Sequence, residues 1–204
     1  MAKKRIKNGI KNLIYLAILL FLFLNFRVSR VVGDSMRNTY YDGDILICCE
    51  LDQMKPEYGD IVVFSKGQEQ HYLIKRVIGV ANDTIEIQGN TLFINNNEIE
   101  ESYIKEPMET DDGIWTVPEG HIFVLGDNRN DSLDSRDDII GFINLKDEYY
   151  GKIIIDLSDY GVTYENLYVK TIEFILVIGI AMMILQLILA KIFKRKEKEK
   201  VKDE

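Results

Sequence analysis

The sequence predicts a mainly β, antiparallel, partly barrel-like domain flanked by N- and C-terminal transmembrane helices. Two observations lead there. The centre of the 204-residue chain holds short β-branched or aromatic runs separated by Gly, Asn and Asp, with no helical period over any long stretch. Each end carries an apolar segment bordered by basic residues.

Residues 1–11 are a basic N-terminus, with Lys3, Lys4, Arg5, Lys7 and Lys11 and no acidic residue. Residues 12–28 are expected to form a membrane anchor. The almost purely aliphatic and aromatic part, 13–24, is short for a span of about 20 residues. Extension from Ile10 through Val28 suffices if Lys11 and Arg27 reach to the headgroups. A cleaved secretory signal has the same layout, but Asn25-Phe26-Arg27-Val28 is bulky where a small-x-small cleavage site would fall.

Residues 29–165 are expected to form one β-rich domain, large enough for a single core. Asp44-Ile45-Leu46-Ile47-Cys48-Cys49, Asp60-Ile61-Val62-Val63-Phe64, Thr84-Ile85-Glu86-Ile87, Thr91-Leu92-Phe93-Ile94 and His121-Ile122-Phe123-Val124-Leu125 are its strand candidates. Gln88-Gly89-Asn90 is a hairpin turn between the third and fourth. A second anchor follows at 172–193, with Glu173 near its start and Gln186 inside it, and then a charged tail at 194–204. Basic flanks favour the cytoplasmic side. The expectation is a plasma-membrane protein with two helices, both termini cytoplasmic and the β domain extracytoplasmic.

The chain has a formal net charge of −8, and the segment 27–170 carries 13 basic against 28 acidic side chains. That excess argues against nucleic acid as a partner, because backbone binding needs Lys and Arg to neutralise phosphates. Anionic headgroups would be repelled as well, so contact with membrane lipid falls to the anchors and any apolar edge near Met36. Cys48 and Cys49 are adjacent on a strand and diverge, which makes a mutual disulfide strained; with two cysteines and two histidines the chain offers no convincing metal cluster. Asp127 and Asp131 lack EF-hand spacing and read as a hydrogen-bonded turn, and Trp115 reads as core or barrel rim.

Candidate chemistry centres on Ser35 and Lys75. A serine hydroxyl needs a base to take its proton as it attacks. A lysine can serve only when uncharged, which requires burial among apolar groups. Lys75 lies in Tyr72-Leu73-Ile74-Lys75-Arg76-Val77-Ile78, where strand alternation sends Lys75 and Arg76 to opposite faces. Lys75 can therefore enter a dry site while Arg76 serves another surface. His71 is the alternative base to test, although it lacks the motif context of Lys75.

Three motifs occur in order: Gly33-x-Ser35-Met36, then Lys75-Arg76-Val77-Ile78-Gly79, then Gly126-Asp127-Asn128-Arg129-x-x-Ser132-x-Asp134-Ser135-Arg136. Together with Gly59-Asp60-Ile61-Val62-Val63-Phe64 and Gly141-Phe142-Ile143 leading to Gly151-Lys152, they resemble the type I signal peptidases, or leader peptidases, across residues 31–152. The resemblance implies a membrane-bound serine endopeptidase that removes signal peptides from secreted precursor proteins, cutting after small residues of the Ala-x-Ala type without a metal or organic cofactor. It makes Ser35 the nucleophile, Lys75 the general base, and Ser132 the hydroxyl that hydrogen-bonds and aims the lysine amine. Asp134 and Arg136 would pair to brace the loop. The backbone N–H of Ser35 would be one arm of an oxyanion hole. Some members supply the other arm from a serine two residues before the nucleophile; Gly33 stands there, leaving backbone or water.

Two positions depart from the family pattern. Asn38 replaces a proline three residues after the nucleophile, which should leave that loop less rigid. Ala81-Asn82-Asp83 replaces Pro-Gly-Asp, a change Asn82 can absorb because asparagine tolerates the left-handed region. The resemblance leaves oligomeric state and individual precursors open. A non-catalytic or pilus-assembly accessory protein on the same fold would have lost the Ser35, Lys75 and Ser132 set. A self-cleaving repressor would carry a basic DNA-binding segment, and β-lactamase-like chemistry predicts Ser-x-x-Lys where Ser35 is followed by Asn38.

Overall fold

The computed structural model describes residues 2–51, 55–67, 71–109 and 112–163, together with Gly179 and Met183. Apart from those two residues, the expected second anchor at 172–193 and the tail at 194–204 lie outside the described residues. Met1–Gly161 form one compact unit and Val162–Glu204 a second.

The first unit opens with helix α1 (Ala2–Asn25). Its apolar side chains from Ile14 to Leu24 are not packed on a core: Phe23 is 75% exposed and Leu16 62%. The apolar run 13–24 is about 18 Å long at 1.5 Å per residue, against a hydrocarbon thickness of about 30 Å. Among the described residues, no helix is long and apolar enough to cross a membrane. Nor is extension to Val28 available to the helix. Phe26 begins strand β1 (Phe26–Arg30), which pairs antiparallel with β2 (Ile45–Cys49) from Phe26 opposite Cys49 to Arg30 opposite Ile45. The β domain thus starts three residues before the expected boundary at 29, because a strand partner captures the backbone that a longer helix would need.

β2 is apolar along its length and buried on both faces, with Leu46 and Cys48 in a core cluster with Val31 and Ile153. It lies between β1 and β11 (Tyr149–Asp156) in a seven-stranded sheet that continues through β3 (Ile61–Ser65), β4 (Tyr72–Gly79), β9 (His121–Leu125) and β10 (Ile143–Asn144). All its pairings are antiparallel. Register shifts at Ile153/Ile155, Tyr149/Gly151 and Val77/Gly79 curl it toward a half-barrel, since each bulge adds local twist. Gly151 is required at its bulge: a Cβ there would collide with the Cys49 carbonyl. Cys48 and Cys49 are buried and free.

A second, four-stranded antiparallel sheet inserts between β4 and β9: β5 (Thr84–Gln88), β6 (Thr91–Ile94), β7 (Asn97–Ile99) and β8 (Gly113–Thr116). The Gly89-Asn90 turn joins Gln88 to Thr91 as the sequence predicts. Asn95 and Asn96, with φ of 52° and 64°, make the next turn, the left-handed pair that a two-residue hairpin loop demands. Trp115 packs beside this sheet's core and lies 5.2 Å from the Phe123 ring.

The strand alternation in β4 distributes its side chains as predicted. Val77 joins Val62, Phe64 and Val124 in one core cluster, whereas Ile78 joins Ile85, Ile87 and Phe123 in another. This two-sided burial fixes the register of β4, because a slip by one residue would exchange Lys75 for a neighbour.

Candidate active site

Ser35 lies in a tight turn between β1 and β2. Arg37 N–H donates to the Asp34 carbonyl at 2.9 Å, and Thr39 and Tyr40 N–H both donate to the Met36 carbonyl, at 3.0 and 2.8 Å. Gly33 supplies a φ of 87° at the entry, and its N–H bonds Asp42 Oδ1 at 3.1 Å. Met36 is 1% exposed and pins the turn to the core.

Asn38 changes the expectation for this loop. Its φ is 93°, a value proline's ring forbids and asparagine tolerates. Its side-chain amide donates to the Tyr103 carbonyl at 3.0 Å, so the loop is tied across to the second sheet's continuation rather than loosened. Asn82 has a φ of 74°, the left-handed conformation anticipated for it.

The turn brings Ser35 to Lys75 across 40 residues of sequence. Lys75 Nζ lies 2.7 Å from Ser35 Oγ and 3.0 Å from the Ile74 carbonyl. Lys75 is only 2% exposed. That burial draws its amine down from 10.5 to about 8, against the upward pull of the Asp134 and Asp127 carboxylates. At pH 7 roughly a tenth of the amine is then neutral, compared with well under a thousandth for an ordinary lysine. A cleft of about 140 Å³ opens on the pair, with Val31, Val32, Leu73 and Ile74 among its lining.

Arg76 turns the opposite way, as alternation requires. Its Nε and Nη2 bond Asp127 Oδ1 and Oδ2 at 2.8 and 2.6 Å, and Nη1 bonds the Gly59 carbonyl at 2.9 Å. Its guanidinium sits 3.9 Å above the Tyr103 ring, and Thr39 Oγ1 donates to Asp127. Asp127 is therefore a fully buried partner of Arg76, in keeping with its reading as part of a bonded turn.

The 126–136 loop closes the site. Gly126 packs its backbone on Ser35, and its N–H donates to Asp134 Oδ2 at 3.0 Å. Arg136 holds Asp134 through Nε and Nη2 at 2.8 and 2.9 Å and reaches the Arg129 carbonyl at 2.6 Å. Ser132 stands against Gly126, but its Oγ is buried without a hydrogen-bond partner, so the bond to the lysine amine expected from the resemblance is not formed here. His71 is exposed, one residue before β4 begins.

Sequence reasoning missed two elements of this loop. Arg129, 1% exposed, donates to both oxygens of Glu101 at 2.7 and 2.5 Å and to the Gly126 carbonyl at 3.0 Å. Asn128 bonds the backbone of Asp34 and Ser35. Both residues lie inside a motif the sequence displays, yet only the fold reveals what they hold.

Residues 6–156 match the family described as signal peptidase, peptidase S26. Signal peptidase I P of Bacillus subtilis subsp. natto is 33% identical over 159 residues, covering 71% of this chain and 85% of that protein. Signal peptidase I of Bacillus licheniformis is 35% identical over 145 residues, covering 65% of this chain and 77% of that one. The crystal structure of a signal peptidase I from Enterococcus faecalis V583 aligns with 49% of this chain and 97% of its own, at 33% identity and a TM-score of 0.43.

Proposed function

This chain belongs to the signal peptidase family, peptidase S26, a family of serine peptidases, and we propose that it removes signal peptides from secreted precursors by acyl transfer through a Ser35–Lys75 dyad. The observation that carries this reading is the 2.7 Å approach of a buried lysine amine to a serine hydroxyl.

In the proposed reaction the neutral Lys75 amine accepts the Ser35 hydroxyl proton as Oγ attacks the scissile carbonyl. The resulting ammonium gives that proton to the departing amine, which leaves an acyl-serine. A water, deprotonated by the same amine, then hydrolyses the ester and restores Ser35. Negative charge on the tetrahedral carbon's oxygen is met by the Ser35 N–H, which donates to no group among the described residues. An unpaired buried hydroxyl such as that of Ser132 costs about 1–3 kcal/mol. That orphan state supports its task of bonding the lysine amine during turnover.

The small volume of the cleft and its branched apolar lining support small side chains at the first and third positions before the cut. The exposed apolar side chains of α1 support attachment to a membrane, with the basic residues before them on the cytoplasmic face. On this reading the β domain faces the side where exported chains emerge.

The test is cleavage of a precursor bearing an Ala-x-Ala site by membranes containing the wild-type protein, Ser35→Ala or Lys75→Ala. Both variants should insert normally and cleave nothing. Wild-type rates in either variant would reject the dyad.

A further inference from the structure

Two hydrogen bonds tie Asn128 to the turn that carries the nucleophile, and the chemistry above gives them no task. The Asn128 side-chain amide donates to the Asp34 carbonyl at 3.1 Å. Its backbone N–H donates to the Ser35 carbonyl at 3.0 Å. Asn128 thus grips the carbonyls on both sides of Ser35 from a loop 93 residues away in sequence.

The Asp34 carbonyl and the Ser35 N–H belong to a single planar peptide unit, trans like every other among the described residues, so they point in opposite directions. Whatever holds that carbonyl sets the direction of the N–H. The carbonyl accepts twice, from Arg37 N–H within the turn and from Asn128 across the site, which uses both of its lone pairs. Hydrogen bonds accepted at one end of a peptide also polarise the donor at the other end. The Ser35 N–H is therefore aimed and strengthened by a group that never touches substrate.

The cost of this arrangement is visible. Asn128 is 2% exposed, and its Oδ1 is buried without a partner. Exchanging the amide's oxygen and nitrogen would set an acceptor against the Asp34 carbonyl, so the donor must face it. An apolar residue of similar size would avoid the orphan oxygen, which makes stability alone a poor reason for asparagine here.

We propose that Asn128 is a positioning residue of the oxyanion hole, its side-chain amide orienting and polarising the Asp34–Ser35 peptide so that the Ser35 N–H meets the developing oxyanion. The inference rests on the role of Ser35 as nucleophile. It adds a requirement that the dyad alone does not make.

The experiment compares full-length wild type, Asn128→Ala and Asn128→Asp in detergent micelles. Aspartate keeps the shape and the backbone N–H but replaces the donor with an acceptor, so it decides the question if alanine prevents folding. For both variants kcat at its pH plateau should fall about tenfold or more, with KM within about twofold; the alkaline limb should stay in place in Asn128→Ala, which adds no charge, and rise in Asn128→Asp, whose carboxylate lies near the Lys75 amine. A peptide aldehyde spanning the cleavage site adds Ser35 Oγ to its carbonyl carbon, the hydroxyl proton passing to the Lys75 amine and leaving the hemiacetal oxygen negative before the Ser35 N–H. Its affinity should fall by the same factor as kcat, while that of a matching uncleavable peptide stays constant. Equal losses for both ligands, a displaced limb in Asn128→Ala, or full kcat in Asn128→Asp would overturn the proposal. Ser35→Ala serves as the control: cleavage that survives it removes the nucleophile assignment and this inference together, whereas cleavage lost there but retained in Asn128→Asp removes only the inference.

Discussion

Gly126 presses bare backbone against Ser35: a Cβ added to it would lie 2.5 Å from the Ser35 carbonyl oxygen and closer still to Ser132 Oγ. The glycine is what lets the 126–136 loop approach the nucleophile's turn. Gly126→Ala must push that turn away from Lys75 or displace Ser132. We expect kcat/KM to fall about 100-fold, in line with the effect of a misplacement near 1 Å, and stability to drop by about 1–3 kcal/mol. Steady-state kinetics with a thermal melt would check both. Unchanged kinetics would mean that the loop is not seated on Ser35 as described.

Lys75 is held in a place that suits function more than stability. An unfolded lysine keeps its proton up to 10.5, whereas folded Lys75 gives it up at about 8. Below pH 8 both states are protonated and the fold bears the full penalty. Between about 8 and 10.5 the unfolded chain binds more protons, so stability rises with pH; above that window the penalty is gone. Lys75→Met should therefore abolish cleavage yet stabilise the fold at pH 7 by up to roughly 3 kcal/mol, a gain that disappears above about pH 10.5. Denaturant titrations at pH 7 and pH 11 distinguish this from a lysine that supports the fold, for which the variant would be weaker at pH 7.

Asp134 faces the same amine with the opposite influence. Its carboxylate raises the Lys75 pKa against the pull of burial. Asp134→Asn removes that charge, so whatever activity remains should show its alkaline limb at lower pH than wild type. A limb displaced upward would assign the rise in rate to another group.

Glu101 and Arg129 form a pair in which neither side chain is more than 5% exposed. Deleting one partner strands a buried charge, and Glu101→Ala or Arg129→Ala should cost about 3–5 kcal/mol. Replacing both with apolar residues of similar size should recover most of it. Additive losses in the double variant, measured by urea unfolding, would show that the pair is not coupled.

Much of this was legible in the chain because its signals are local. Alternation in β4 foretold that Lys75 and Arg76 diverge, and Gly89-Asn90 announced its hairpin. What the sequence hides is long-range. β1 follows the apolar helix directly, and nothing in Phe26-Arg27-Val28-Ser29-Arg30 says that β2 will recruit it before the anchor can lengthen. Glu101 sits in a run with Glu98 and Glu100, so no local rule marks it as the partner of Arg129. The looser turn expected from Asn38 failed for the same reason: its tether is the Tyr103 carbonyl, 65 residues away.

The most direct measurement is the titration of Lys75 itself, followed by NMR of its side-chain amine region in the full-length protein and assigned by loss of the signal in Lys75→Met. A midpoint near 8, matching the alkaline limb of precursor cleavage, is the expected result. A midpoint near 10.5 would contradict a lysine base beside Ser35.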